Sequence, residues 1–135
     1  MAFSSIGTVH RSTVTGRRGM IASGHPLASL AGLRSLMQGG NAIDAAVATA
    51  AALNVVEPYM SGIGGVGYMN IYSARSNEHK ILDYVGLTPA ATDIALYDEG
   101  KRDRGPLSHL VPGACGGWLE AIARYGNLSP AEVFA

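Results

Sequence analysis

The chain has a single cysteine, Cys115, so it can hold neither an intrachain disulfide framework nor a zinc cluster built on thiolates. That composition suits a reducing compartment. No acidic residue precedes Asp44, whereas Arg11, Arg17, Arg18 and Arg34 do, a bias shared with transit peptides. The competing expectation is a polar leader over residues 1–18 running into a first strand around Met20 to Ser23. No apolar run is long enough to span a bilayer, and no secretory apolar segment follows the first residues. The N-terminus therefore reads as lacking an export signal, which leans towards the cytoplasm. Charge of one sign is also missing in net terms: ten basic residues balance ten acidic ones, which removes a global electrostatic case for nucleic acid or an acidic membrane. Trp118 and the scattered tyrosines make no stacking platform for single-stranded nucleic acid. His10, His25, His79 and His109 lie far apart with no HxH or HExxH spacing, so no metal site is expected, and they read as exposed or capping residues.

Glycine, by contrast, is plentiful, and it concentrates in the run Met60 to Ile71. Gly62, Gly64 and Gly67 spell GxGxxG, but a dinucleotide-binding turn must leave a strand and open a helix whose N-terminus faces the pyrophosphate. Here an alanine-rich helical pattern precedes the loop, and Tyr68, Ile71 and Tyr72 at strand-like spacing follow it. The reversed order predicts glycines that allow close backbone approach or positive φ. A nucleotide-binding module thus rests on glycine spacing alone.

Pro26 suits a first helical position, and Leu27, Leu30, Leu33, Leu36 and Met37 recur at helical spacing until Gly39 and Gly40. Asn41 and Asp44 have the spacing of a capping box for a second helix. Alanine dominates every face of that helix from Ala42 to Ala52, which predicts a buried position between layers. Gly67 to Ser73 and Lys80 to Tyr84 read as an antiparallel hairpin around a polar turn at Ala74 to His79, with Pro89 beyond it. Thr92 or Asp93 caps a short helix reaching Leu96, Asp98 to Gly100 marks a turn, and Lys101 to Pro106 is charged without periodicity. After Pro112 and Gly113, the spacing of Trp118, Leu119, Ile122 and Ala123 predicts a helix ending near Tyr125 and Gly126. Ser129 and Pro130 open another, which the chain leaves unclosed, so a segment of a longer protein is expected.

Several residues invite a chemical reading and have a plainer one. Cys115, beside Gly113, Gly116 and Gly117, sits where a helix dipole lowers a thiol pKa, yet no positioned histidine accompanies it, and a half-buried structural thiol is expected. Ser61 lacks the upstream glycine of a nucleophile elbow, because Tyr59 stands there, and reads as a loop residue. Asp83 reads as a turn or backbone partner. Asn127-Leu128-Ser129 matches a glycosylation acceptor but is followed by Pro130 and has no secretory signal ahead of it.

Longer ordered strings carry more information. Gly19-Met20-Ile21-Ala22-Ser23, then Gly39 to Ala48, then Ser61 to Met69, with Val111-Pro112-Gly113 and Arg124-Tyr125-Gly126 after them, resemble the γ-glutamyltranspeptidase family from about residue 17 onward. The resemblance implies an α+β chain forming part of an N-terminal-nucleophile (Ntn) hydrolase α/β/β/α sandwich, with residues 19–135 as the N-terminal segment of the large subunit. It implies a self-cleaving precursor whose nucleophile is the first threonine of a small subunit, with its own α-amine as base. On that reading the partners are the small subunit and an amide or γ-glutamyl substrate, no cofactor takes part, and no catalytic residue lies in this chain. The alternative is a non-catalytic remnant or scaffold.

One departure from the family's pattern bears on specificity. Where the γ-glutamyl enzymes of the family carry an Arg-Glu pair before a proline, this chain reads Leu82-Asp83-Tyr84-Val85-Gly86-Leu87-Thr88-Pro89. The arginine grips the substrate's α-carboxylate as a permanently charged fork. Val85 and Gly86 stand in the pair's place and are the substrate-contact positions the resemblance assigns. Valine makes no such contact, and losing a charge-assisted pair costs roughly 2 to 5 kcal/mol, enough to change substrate preference. Arg75, Arg102 or Arg104 would be the alternative source of charge.

Overall fold

A computed structural model of the protein describes residues 12–97 and 104–135. The leader assigned to residues 1–18 falls largely outside them, as do the turn at Asp98 to Gly100 and the first half of the charged stretch Lys101 to Pro106, Arg102 included. Helix α1 spans Pro26–Met37 and helix α2 spans Ala42–Val56. Strands β1 (Tyr68–Ser73) and β2 (Glu78–Asp83) form an antiparallel hairpin. A short 3-10 turn covers Ile94–Leu96, followed by helix α3 (Ala114–Tyr125) and the single turn α4 (Pro130–Val133).

The caps follow from residue chemistry. Leu27 N–H donates to Nδ1 of His25, so one of the four histidines caps α1, and Pro26 fills the first turn. Asn41 and Asp44 form the expected capping box of α2, and Ser129 and Glu132 form a second on α4. Asp93 caps the 3-10 turn by accepting from Ala95 N–H at 2.9 Å. Met20 to Ser23 is not a strand: the hairpin is the sheet among the described residues, and nothing pairs with this segment. A strand is defined by its ladder, so spacing alone did not settle it.

Helix α1 packs on α2 through its small residues. Its buried residues are Ala28, Gly32 and Ser35, while Leu27, Leu30, Leu33 and Met37 stay exposed. A Cβ at Gly32 would lie 2.8 Å from the Ala45 carbonyl oxygen, so the two helix backbones are in near contact. The leucine spacing marked the helix, and its small-residue face permits the close approach to α2. Beyond α2, Val47 and Ala48 join Ala114, Trp118, Ala121, Ile122 and Val133 in the core, with Met69, Leu82 and Tyr84 packed on its side. The alanine-rich helix thus lies between α1 and the layer of α3 and the hairpin, as its composition predicts.

The hairpin register pairs Tyr68 with Asp83 and Ser73 with Glu78, leaving Ala74 to Asn77 as the loop. Asn77 takes φ +52°, a left-handed value that asparagine tolerates. Met69 and Leu82 face the core as a cross-strand pair. The ladder gains one more bond from Tyr84 N–H to Gly67 C=O at 3.0 Å, and the second strand starts at Glu78, two residues before the expected Lys80, because Glu78 and His79 pair with Ser73 and Tyr72.

Candidate functional site

The glycine run and the end of β2 meet at the start of α3. Gly65 C=O accepts the N–H groups of Gly113 and Ala114 at 3.1 and 2.9 Å, so two of the donors that a helix N-terminus leaves free are already used. A Cβ at Gly67 would lie 3.0 Å from the Tyr84 ring, and Cβ atoms at Gly113 and Gly117 would overlap the carbonyl and ring of the same tyrosine. Within the glycine run the expected close approach is made by Gly67, while Gly62 and Gly64 have open space where a Cβ would stand. None of Gly62, Gly64, Gly65 and Gly67 has positive φ, so that part of the expectation is corrected. The loop leads from α2 into β1, the order that argues against a phosphate-binding turn.

From this junction Val85 and Gly86 leave β2 and enter an open groove of about 560 Å³, closed on its far side by residues 107–111. Val85 N–H donates to Asp83 Oδ1 at 2.9 Å, which gives Asp83 the backbone role expected of it. Gly86 has φ +78°, and a Cβ there would stand 3.2 Å from Val111 C=O. The left-handed turn at Gly86 therefore lays the 85–89 segment against 107–111. The groove walls include Val85, Leu87, Ile94, Leu107, Leu110 and Val111, with hydroxyls from Thr88, Thr92 and Tyr97. Ser108 Oγ donates to Gly105 C=O at 2.7 Å, and His109 Nδ1 lies 3.3 Å from Pro106 C=O.

The other singled-out residues do not gather here. Cys115 is exposed on α3, not half-buried, because its side of the helix turns away from the Trp118 core. Ser61 Oγ donates to Asn54 Oδ1 at 2.6 Å in the loop after α2. His79 stands edge-on to Tyr72 across the hairpin. Arg75 sits in the hairpin loop, at the opposite end of β2 from Val85 and roughly 20 Å away at strand rise. Arg104 is exposed. Among the described residues, no three of His, Cys, Asp or Glu come together as metal ligands, and no helix is long and apolar enough to cross a membrane.

A second cluster was only half visible in the sequence. Asp44, fully buried, accepts from Asn41 N–H at 2.8 Å, as the capping box requires, and also from Asn127 N–H at 3.0 Å and Leu128 N–H at 3.4 Å. Asn41 Nδ2 in turn donates to Tyr125 C=O at 2.6 Å. Two strings far apart along the chain, Gly39 to Ala48 and Arg124-Tyr125-Gly126, thus meet in one contact network.

Against this geometry, the family described as Gamma-glutamyltranspeptidase matches residues 28–135. This chain belongs to that family. It is 45% identical over 139 residues to "Acylase ACY 1 proenzyme" of Pseudomonas sp. (strain V22), covering 93% of this chain and 25% of that one. It is 42% identical over 130 residues to "Glutathione hydrolase proenzyme" of Bacillus subtilis (strain 168), covering 89% and 22%. The crystal structure of Helicobacter pylori gamma-glutamyltranspeptidase superposes with a TM-score of 0.81 at 34% identity, over 91% of this chain and 37% of that one. The arrangement of helices around an antiparallel hairpin is therefore that of the corresponding part of the γ-glutamyltranspeptidase fold. The chain spans about a quarter of the length of the curated relatives it matches.

Proposed function

We propose that this chain is the N-terminal segment of the large subunit of an amidohydrolase of the γ-glutamyltranspeptidase family, with the threonine nucleophile supplied by sequence outside it. The enzyme cleaves or transfers an acyl group from an amide, and the γ-glutamyl head group is not its preferred acyl donor. The observation that carries this reading is Val85 with Gly86 at the mouth of the groove, where the resemblance gives the carboxylate-gripping arginine. A valine side chain offers no donor to a carboxylate, and Arg75 is at the wrong end of the hairpin to replace one. The identity to a protein named acylase supports an amide donor outside the γ-glutamyl class.

The test is made on the full-length polypeptide carrying this segment. Its hydrolysis of γ-glutamyl anilide is compared with that of N-acyl anilides lacking the α-carboxylate. The wild type is expected to favour the latter, and Val85→Arg to raise kcat/KM for the γ-glutamyl substrate by roughly tenfold or more. A wild type that depends on the α-carboxylate, and loses activity when Arg75, Arg102 or Arg104 is replaced, would overturn the specificity claim. Failure to turn over any amide would leave the remnant reading in its place.

A further inference from the structure

Tyr84 directly precedes Val85, and its half-buried ring packs against the core cluster that includes Ala114 and Trp118. Three glycines from two distant segments enclose it: Gly67 in the glycine run, Gly113 at the cap of α3 and Gly117 one turn further along that helix. A Cβ at Gly67 would stand 3.0 Å from ring Cε2 and 3.2 Å from the hydroxyl oxygen. At Gly113 it would run into the Tyr84 carbonyl oxygen, and at Gly117 into ring Cγ and Cδ1. We infer that Tyr84 is a positioning residue: its ring, seated in this glycine socket, sets where Val85 and Gly86 stand towards the substrate, an inference resting on the amidohydrolase reading above.

None of the three socket glycines has positive φ, so the space a side chain would fill, and not backbone conformation, is what they supply. Gly117 makes the point most sharply, because glycine inside a helix is a poorer choice than alanine unless something needs the room. The socket is also tied together. Gly65 C=O accepts from Gly113 and Ala114 N–H at 3.1 and 2.9 Å, and Tyr84 N–H donates to Gly67 C=O at 3.0 Å. Main chain therefore meets the ring on the sides of Gly67 and Gly117, and main chain gives way less readily than a side chain. One residue on, Val85 is held by a short exposed bond to Asp83, a weaker restraint than a closely packed ring. A group that contacts substrate is sensitive to such placement, since a shift of about 1 Å costs up to about a hundredfold in rate.

The experiment uses the full-length enzyme and the N-acyl anilide that it hydrolyses fastest. The readout is KM, which does not depend on how much of a preparation is folded, whereas the apparent kcat does. Tyr84→Ala is expected to raise KM about tenfold or more, and Tyr84→Phe, which keeps the ring, to stay within about twofold of wild type. Gly117→Ala, which pushes the ring from its seat, should raise KM as Tyr84→Ala does. If Tyr84→Ala fails to fold, Tyr84→Leu keeps apolar bulk without the flat ring and should raise KM about threefold or more. Variants that lower the thermal midpoint and the apparent kcat but leave KM unchanged would make the ring purely structural and overturn the inference. So would a Tyr84→Phe enzyme as impaired as Tyr84→Ala, which would move the role to the hydroxyl. If the wild type hydrolyses no amide, the amidohydrolase reading fails, and hydrogen exchange decides the placing of the segment alone. Exchange at the Val85 and Gly86 amides that rises in Tyr84→Ala more than at the hairpin amides, and not in Tyr84→Phe, supports it. Unchanged exchange rejects it.

Discussion

The buried carboxylate of Asp44 accepts the backbone N–H of Asn127 at 3.0 Å and ties the start of α2 to the corner between α3 and α4. Gly126 makes room for it: a Cβ there would lie 2.5 Å from Asp44 Oδ1. Asp44→Ala would strand the N–H groups of Asn41, Asn127 and Leu128 without an acceptor. The expected loss is roughly 2 to 4 kcal/mol, read from chemical denaturation of the full-length protein. Asp44→Asn keeps the shape but turns an NH2 group towards those donors, and should recover little of it. A loss near zero for Asp44→Ala would show the network to be incidental.

Tyr84 and Gly117 form the tightest side-chain to backbone approach at the α3 junction. Gly117→Ala should destabilise by about 1 to 3 kcal/mol through overpacking, although alanine is the better helix former. Adding Tyr84→Ala should relieve the clash, so the double variant should lose less than the sum of the two single losses. Additive losses would mean that the ring and the helix do not meet.

Gly86 holds a left-handed backbone at the mouth of the groove. Gly86→Ala should cost about 1 to 2 kcal/mol, and Gly86→Asn less, because asparagine tolerates that conformation. Equal thermal midpoints for the wild type and both variants would count against strain at this position.

The cap of α4 gives a pH dependence with a definite sign. Hydrogen bonds from the Ser129 hydroxyl and backbone N–H hold the Glu132 carboxyl below the usual glutamate range. A carboxylate whose pKa is lowered on folding contributes stability above its unfolded pKa, and that contribution fades as pH falls through the lowered value. The turn at Pro130–Val133 should therefore loosen on acidification below about pH 4, seen as faster amide exchange at Glu132 and Val133. Ser129→Ala should move the onset of loosening to higher pH. Exchange that ignores both acid and the substitution would dismiss the cap.

Much of the local structure could be read along the chain because it depends on neighbours in sequence. Pro26, Asn41 with Asp44, Asp93 and Ser129 with Pro130 set helix starts through groups two or three residues away. Alternation around a polar turn set the hairpin, and strings shared with the family set the family. Asp83 found its partner two residues on, as a short carboxylate does.

What the chain alone could not settle were matters of which surfaces meet. Ala28, Gly32 and Ser35 of α1 meet α2 because small residues let two backbones close up, a pairing of faces that spacing along one helix does not specify. Asp44 looked like a local cap and proved to bind amide groups 83 and 84 positions away, an arrangement only the third dimension can bring about. The groove beside Val85 likewise needs residues 107–111 folded back on the turn at Gly86. Sequence determined the elements, their caps and the family, since those follow from short-range chemistry and order. Tertiary structure decided the packing face of α1, the partners of Asp44 and the walls of the groove, since each is a contact between segments far apart in the chain.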